Sequence, residues 1–543
     1  MTRIREANRN PFSRPLTKTT VLAIGAALAL ALSGCAVGPD FAASAAPDVS
    51  GYTPETLAKQ TNSANVAGGG SQRFVQDLDI PGQWWTLFHS KALNSMIEAA
   101  LANNHDLKAA QAALRVTQEA VQAQKGFFYP TVVGNATATR QLTPIGTLSP
   151  VLNNNMAIFN LVTPQVNVSY TPDIFGLNRR TVESLQAQAD IQRFQVEATY
   201  LTLTSNLVLG AVQEASLREQ MAATRKIIDL ELKLVDVLRR ERAIGQAAEA
   251  DVALQEAALA QAQAALPILE KQLAQLRDLL TALTGRLPSE QISETFELAS
   301  LHLPEKLPVS LPAKLVWQRP DLRAADENLH SASALIGVAI ANRLPNVTIS
   351  GDAGTTATTI AALFLPGNKF WEIGANLAQP VFDGGTLMHR EAGAKAAYEQ
   401  ASEQYKSAVV NAFQNVADAL RAIQHDSDAL KVSLAAEQAS AKSLKIATGQ
   451  FKLGMVSTII VLNAQQTYQQ AAVNLVQARA ARYSDTAALF QALGGGWWNR
   501  KDISTQFDAQ RNADPLDAGV AQVLSSPSKD ACPYGYGLFF CTK

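Results

Sequence analysis

Two long stretches without proline, residues 173–266 and 381–493, dominate the pattern of this sequence. Both are rich in Ala, Gln, Leu and Glu, which favour helices, whereas a proline inside a helix costs about 3 kcal/mol. In the first stretch apolar residues recur every three or four positions: Leu217, Met221, Ile228, Leu232, Val235 and Leu238. This spacing predicts a long helix with a packed apolar face.

Each stretch contains one interior turn signal. A cation followed closely by a glycine, as at Arg242 and Gly245 or at Lys452 and Gly454, is typical of the end of a helix. We therefore predict two helical hairpins. A helix from Thr181 to Gly245 would be about 95 Å long at 1.5 Å per residue, which is too long for a compact domain. A coiled-coil spacer without a lumen would give the same pattern.

Four shorter segments ahead of the hairpins alternate apolar and polar residues: 131–140, 165–170, 346–355 and 370–379. One face collects Val166, Val168, Tyr170, Val347, Ile349, Trp371, Ile373 and Leu377, and the other collects Gln165, Asn167, Ser169, Thr348, Ser350, Asp352, Glu372 and Asn376. Transmembrane β-barrel strands and half-buried soluble strands both alternate in this way. Four strands cannot close a barrel and open edges are not tolerated in lipid, but three copies would supply twelve strands, enough for an aqueous lumen.

The two halves of the chain repeat the same landmarks. Tyr129-Pro130 and Leu344-Pro345 lie 215 positions apart, and the tip glycines Gly245 and Gly454 lie 209 apart. The prolines that close the two strand pairs, Pro172 and Pro380, are 208 apart, and Ala282–Gly285 matches Ala492–Gly495 at 210. This near-constant spacing indicates an internal duplication in which each half is helix, two strands and a long hairpin.

The amino terminus has the features of an export signal. Basic residues from Arg3 to Lys18 precede the apolar run Val21 to Leu32, which is too short for a mature membrane span. The following Leu32-Ser33-Gly34-Cys35 resembles a bacterial lipobox, which predicts cleavage after residue 34 and lipidation of Cys35; an ordinary signal with a chance cysteine is the alternative. Because Ala36 follows instead of aspartate, the resemblance favours the outer membrane of a Gram-negative cell.

Composition excludes several other classes of function. A net charge of −1 gives no electrostatic case for nucleic-acid binding. The six histidines lack metal-ligand spacing, and no phosphate loop, nucleophile elbow or paired-carboxylate motif is present, so we expect no enzyme, cofactor or metal. Cys532 and Cys541 could form a disulfide in an oxidising compartment or stay free.

Several motifs together resemble the TolC-like outer membrane factor family, in its NodT-type lipoprotein branch. The most specific is Gln318-Arg319-Pro320-Asp321-Leu322-Arg323-Ala324-Ala325. The others are Trp84–Phe88, Asn103–Leu107, Pro380–Gly385 and the two tip turns. The resemblance runs from about Cys35 to Trp498, and the tail beyond it matches nothing.

The resemblance implies an α+β, mainly α fold in a homotrimer. Each chain would add four strands to a 12-stranded transmembrane barrel, and the hairpins would form a tunnel across the periplasm. The expected organisation is a lipoprotein signal peptide (1–34), an N-terminal linker and equatorial segment (35–90), a first repeat (91–285), an equatorial connector (286–320), a second repeat (321–495) and a C-terminal tail (496–543).

The resemblance also implies the function of a passive outer-membrane exit duct in a tripartite efflux system. Its partners would be a periplasmic adaptor, an inner-membrane resistance-nodulation-division pump and outer-membrane lipid, with drugs or other small molecules passing through. A duct for heavy-metal or type I protein export is the alternative within this class. A lipid-anchored periplasmic coiled-coil scaffold without a pore is the alternative from another class, and an adaptor protein fits poorly because adaptors normally carry one hairpin.

Site residues follow from the same resemblance. The tip turns would contact the adaptor through Gly245, Gln246, Ala247 and Ala248 and through Gly454, Met455, Val456 and Ser457. Phe451 and Lys452 would narrow the tunnel entrance together with position 463, where relatives often carry aspartate and this chain has Asn463. With Asn463 in place of that aspartate, the resemblance does not extend to a ring of carboxylates or to strong cation-dependent closing. An asparagine can still hydrogen-bond around a threefold axis, but more weakly than a charged pair. An ordinary exposed helix residue is the alternative for Asn463.

Overall fold

The computed structural model describes residues 36–49, 51–55, 57–142 and 158–500. Its helices are α1 (Lys91–Asn103), α2 (His105–Lys125), α3 (Leu177–Ala243), α4 (Glu249–Leu283), α5 (Pro312–Gln318), α6 (Pro320–Ala341), α7 (Thr386–Lys452) and α8 (Thr458–Ala492). Its strands are β1 (Arg73–Gln76), β2 (Thr131–Leu142), β3 (Ile158–Tyr170), β4 (Lys306–Val309), β5 (Asn346–Thr355) and β6 (Lys369–Ala378).

The two predicted hairpins are present, and they have the same dimensions. Helices α3 and α7 each contain 67 residues, and α4 and α8 each contain 35. At 1.5 Å per residue the longer helices extend about 100 Å. Helix α4 continues through Pro267 instead of ending there, so it is longer than the proline-free stretch 173–266 indicated.

Aspartate side chains fix the start of both long helices. Asp173 accepts hydrogen bonds from the backbone N–H groups of Asn178 and Arg179 at 2.9 Å each. Asp383 accepts from the N–H groups of Gly385 and Leu387 at 2.9 and 2.8 Å. These bonds satisfy donors that the first turn of a helix leaves without partners.

The helices form two regions that share the long α3 and α7. Nearer the strands, α2 packs on α3, and α6 packs between α3 and α7. Beyond the middle of the molecule, α4 pairs with α3, α8 pairs with α7, and α8 also packs on α3. The chain is therefore a bundle of four helices along most of its length.

The largest apolar core lies where these two regions meet. Its fully buried aromatic residues are Trp84, Trp85, Phe88, Phe296, Tyr483 and Phe490. Trp84 and Trp85 belong to a 3₁₀-helix, and Trp84 stacks on Phe490 with ring centroids 5.4 Å apart. Strands β1 and β4 pair in parallel beside this core, which joins the N-terminal segment to the connector between the repeats.

The N-terminal segment first follows the helices nearer the strands before it reaches that core. Arg180 on α3 is buried and donates to the carbonyl of Val37 at 3.1 Å and to the carboxylate of Asp40 at 2.7 Å. A Cβ on Gly38 would lie 2.4 Å from the Cα of Gly337 on α6, so a side chain at position 38 does not fit there. Residues 37–40 thus lie between α3 and α6, within the segment 35–90 that is predicted as N-terminal linker and equatorial segment.

Candidate functional site

The four longer strands form one antiparallel sheet in the order β2-β3-β5-β6. Strand β3 begins at Ile158, seven residues before the predicted start at residue 165. It passes through Pro164, which lacks a backbone N–H and is unfavourable inside a sheet, so no strand was predicted for the residues before 165. Strand β2 likewise extends to Leu142, two residues beyond the predicted end.

The register places most of the large apolar residues of the four strands on one face, and only Val133, Phe159, Leu161 and Phe370 lie on the other. Val132 pairs with Val168, Val168 with Gly351, and Gly351 with Ile373. This face has no core against it, since the side chains of Trp371 and Ile373 are 76% and 75% exposed. A water-soluble protein rarely exposes a continuous apolar face of this kind, which marks it as a surface that contacts lipid or protein.

The opposite face is polar and connected by side-chain hydrogen bonds. Asn135 donates to Asn167 at 2.7 Å, and Asn167 donates to Asp352. Asp352 lies directly opposite Glu372 on the neighbouring strand. Two like charges in that position repel each other unless water screens them, so this face is suited to an aqueous surface.

Both edges of the sheet are open within the chain. Strands β2 and β6 lie at its two ends, and each pairs with only one neighbour among the described residues. Edge strands present unpaired N–H and C=O groups that favour pairing with another strand. Each edge of the sheet is therefore available to pair with a further strand.

No helix in the described part of the chain is long and apolar enough to cross a membrane.

At the far end of the hairpins, both tip turns are built on glycine. Gly245 has φ +76° and Gly454 has φ +70°, which side chains rarely adopt. A Cβ at either position would meet no heavy atom within 4 Å, so backbone conformation and not crowding requires glycine. The N–H of Met455 closes the end of α7 by donating to the carbonyl of Gln450 at 2.9 Å, and Gln246 donates to Glu241 at 2.8 Å in the same way.

Apolar side chains are exposed around both turns. Leu453 is 76% exposed and Met455 is 66% exposed. Ile244 on the first tip, and Ile459 and Ile460 on the second hairpin, are exposed as well. Of these five, only Met455 was predicted from the sequence, although the sequence shows apolar residues beside both turn glycines.

The three predicted entrance residues lie just above the second tip, in different environments. Lys452 and Asn463 are exposed. Phe451 is half-buried and packs against a cluster between the two hairpins that includes Leu234, Ala447 and Val461. Two of the three side chains are therefore exposed, and the third is packed between the hairpins.

A buried arginine ties the N-terminal segment to α8. Arg482 donates to the carbonyls of Gly68 and Gly70 at 3.0 and 2.9 Å and to the side chain of Gln72 at 3.2 Å.

Burial, and to a lesser degree a hydrogen bond with the carboxyl of Asp485, raises the pKa of Asp426 on α7 to about 7.

In the part of the chain that the structure describes, no group of three or more His, Cys, Asp or Glu side chains could hold a metal ion. The predicted signal peptide, the lipidation site Cys35 and the cysteines Cys532 and Cys541 lie outside the described residues.

The chain matches a protein family along more than half of its length. The family, described as outer membrane efflux protein, matches residues 96–286 and 311–495. The pyoverdine export outer membrane protein OpmQ of Pseudomonas putida is 28% identical over 449 residues, which cover 82% of this chain and 94% of the relative. The toluene efflux pump outer membrane protein TtgF of Pseudomonas putida is 29% identical over 502 residues, 90% of this chain and 98% of the relative.

The fold is similar to that of solved outer membrane channels. The crystal structure of the Campylobacter jejuni CmeC outer membrane channel superposes with a TM-score of 0.76 at 22% identity, covering 89% of this chain and all of that one. At this identity the likeness concerns the fold.

Proposed function

This chain belongs to the outer membrane efflux protein family, and we infer that it is the outer-membrane exit duct of a tripartite efflux pump. The family consists of channel-type proteins and not of enzymes. The observation that carries the proposal is the two-faced sheet, with its exposed apolar face and open edges, at one end of helices about 100 Å long. A sheet of this kind is suited to a barrel wall, and the helices to a tunnel that crosses the periplasm.

Three chains would complete the barrel. An open sheet edge in lipid leaves several backbone groups without hydrogen-bond partners, so β2 of one chain must pair with β6 of the next. Four strands per chain give twelve in a trimer, which encloses an aqueous lumen lined by the polar face. Charges of Asp352 and Glu372 would then face water and not lipid.

The duplication proposed from sequence is supported by equivalent junctions in the two halves. Asn104, at the start of α2, donates to the carbonyl of Leu283, the last residue of α4, at 3.0 Å. Arg319, at the start of α6, donates to the carbonyl of Ala492, the last residue of α8, at 3.0 Å. Repeats at about 91–285 and 321–495, joined by 286–320, account for both the equal helix lengths and these junctions.

Lipidation of Cys35 would place the anchor near the junction of strands and helices. The N–H of Val37 donates to the carbonyl of Phe175 at 3.1 Å, and a Cβ on Gly176 would lie 2.6 Å from the Cα of Ala36. Phe175 and Gly176 lie between β3 and α3, at the inner-leaflet end of the proposed barrel. Acyl chains on a residue next to Ala36 would reach that leaflet without a long linker.

The tips would bind the periplasmic adaptor. Residues 245–248 and 454–457 provide the turn geometry, and the exposed Ile244 and Leu453 provide apolar contact area beside it. Lys452 and Asn463 would face the tunnel entrance above the second tip, with Phe451 fixing the helix behind them. The inner-membrane pump would supply the energy and select the substrate.

In this proposal the inner-membrane pump determines which substrate passes through the duct. The names of the two relatives refer to different substrates, pyoverdine and toluene. A heavy-metal or protein-export duct would share the same barrel, tunnel and tips.

A disulfide between Cys532 and Cys541 also stays a prediction.

The proposal is tested on the mature chain purified in detergent. Light scattering corrected for bound detergent should give three chains per particle, and the same sample should form ion-conducting channels in planar lipid bilayers. A monomer or dimer that stays soluble without detergent after removal of Cys35, with no conductance, would exclude the duct and favour the periplasmic scaffold.

A further inference from the structure

The charged side chains of the sheet are divided by sign between its two faces. Strands β2, β3, β5 and β6 contain four charged residues in their described lengths: Arg140, Asp352, Lys369 and Glu372. Arg140 lies on the same face of β2 as Val132, and Lys369 lies on the same face of β6 as Trp371 and Ile373. Both cations are therefore on the apolar face, and both carboxylates are on the polar face.

The two cations also lie at the same end of the sheet. Arg140 is close to the end of β2, and Lys369 is the first residue of β6. The helices join the opposite end, where α2 leads into β2 and β6 leads towards α7. If the helices are in the periplasm, Arg140 and Lys369 lie at the outer-leaflet end of the barrel.

Neither cation has an acidic partner within the described residues. Arg140 and Lys369 are exposed, and the side chain of Arg140 donates a hydrogen bond to the side-chain oxygen of Asn160 at 3.4 Å. The strand residues that share their face are apolar or uncharged. A cation in this position lacks compensation from the protein and needs either water or an anion from outside.

Pairing between copies would bring the two cations towards one another. Arg140 is on the edge strand β2 and Lys369 is on the edge strand β6. In a closed barrel these strands meet at each seam between chains, so every seam would carry one arginine and one lysine near the outer rim. The aromatic ring of Trp371, two residues from Lys369, is exposed on the same face, as is common where a barrel wall meets the lipid headgroups.

We propose that Arg140 and Lys369 form three basic sites on the lipid-facing rim of the barrel that bind phosphate groups of outer-leaflet lipid. The inference rests on the proposed function, because it requires the sheet to be a barrel wall. Long cationic side chains lay their methylene groups along apolar surface while the charged group reaches the headgroups. The arginine fork binds two phosphate oxygens together, and the lysine adds a second positive charge to the same site.

The test compares lipids that differ only in phosphate. The thermal melting temperature of the detergent-purified mature protein is measured with bis-phosphorylated lipid A, with its dephosphorylated form and with phosphatidylethanolamine. The wild type should melt higher with the phosphorylated lipid only. The double variant Arg140→Gln/Lys369→Gln should lose this shift and bind the phosphorylated lipid at least tenfold more weakly.

Two control variants separate phosphate binding from general effects. Arg140→Lys/Lys369→Arg keeps both charges and should retain the shift. Lys271→Gln removes an exposed cation from α4, outside the sheet, and should behave as wild type. Equal shifts with phosphorylated and dephosphorylated lipid, or an undiminished shift in the double Gln variant, would overturn the inference.

Conductance separates failure of this inference from failure of the proposed function. If the wild type forms conducting trimers but shows no preference for phosphorylated lipid, only the rim sites are wrong. If the wild type forms no trimer and conducts no ions, the barrel itself is wrong and the rim sites fail with it.

Discussion

At the scale of single residues, one buried carboxylate joins three parts of the chain. Glu214 on α3 is fully buried and accepts hydrogen bonds from Arg218 at 2.8 Å and from Arg277 on α4 at 2.9 Å. Arg277 also donates to the backbone carbonyls of Ile292 and Glu294 in the connector between the repeats. This arginine therefore fixes the connector against the first hairpin.

Replacing Arg277 should cost much more stability than replacing an exposed partner in a similar pair. Arg277→Met leaves a buried carboxylate with less compensation, which typically costs about 3–5 kcal/mol. Arg225→Met removes a pair with Glu270 that also links α3 to α4 but is about half exposed, and should cost roughly 0–1 kcal/mol. Thermal melting of the two variants checks this, and equal losses would contradict it.

A second residue-scale prediction concerns pH. The pKa of Asp426 is raised from its ordinary 3.8 to about 7 in the folded protein, mainly by burial. The folded state thus binds the proton more tightly, and the associated stability is present below pH 3.8 and lost as the pH rises through about 7. Asp426→Asn, which stays neutral, should flatten this dependence and melt higher than wild type at pH 8.

The control for this experiment is Asp428→Asn on the same helix. Asp428 is exposed and accepts a hydrogen bond from Asn62. Its replacement should leave the slope of melting temperature against pH between 5 and 8 unchanged. A wild-type slope in the Asp426 variant would show that the buried carboxyl does not titrate in this range.

At the scale of elements, periodicity and turn signals were sufficient to predict both hairpins, because long uninterrupted helices repeat their pattern many times. Shorter signals were less complete. The start of β3 was missed because Pro164 interrupts the alternation, and the end of α4 was hidden by Pro267. Ile244 and Leu453 were missed because the sequence shows an apolar residue beside each turn glycine, whereas the exposure of that residue depends on the neighbouring hairpin.

The hairpin tips provide an element-scale prediction about the adaptor. Leu453→Ser/Met455→Ser removes exposed apolar area from the second tip without touching a buried side chain. Binding to the purified hairpin domain of a periplasmic adaptor should weaken at least tenfold, while trimer formation stays unchanged. Phe364→Ser, an exposed apolar residue at the strand end of the molecule, is the matched control and should leave adaptor binding intact.

Pro267 and Val476 occupy equivalent places in α4 and α8, since each is the nineteenth residue of a 35-residue helix. Pro267→Ala restores a backbone N–H and should raise the melting temperature. Val476→Pro removes such a donor from α8, at a position where the Val476 side chain is buried in the central core. It should lower the free energy of unfolding by about 3 kcal/mol or more. A neutral Val476→Pro variant would show that α8 does not need a regular hydrogen-bond ladder there.

At the scale of the whole molecule, the proposed trimeric barrel and the proposed tunnel depend on each other. In the proposed duct the sheet would contact lipid and the helices would provide length, but the described part of one chain encloses no lumen because its four-stranded sheet is open at both edges. The sequence could indicate which residues share a face, since a strand alternates with a period of two. It could not show which face meets lipid, because that depends on how the chains assemble.

Two substitutions on β6 distinguish the faces of the assembled barrel. Ile373→Arg places a charge on the exposed apolar face, which should cost about 2–4 kcal/mol near the middle of the bilayer, once in each chain of the trimer. Asn376→Arg places the same charge on the polar face, where water in the lumen can solvate it. The amount of trimer in isolated outer membranes should fall sharply for Ile373→Arg and stay near wild type for Asn376→Arg. Equal amounts of trimer for both variants would mean that neither face of this sheet meets lipid. Loss of trimer for Asn376→Arg alone would mean that the polar face is the one that meets lipid.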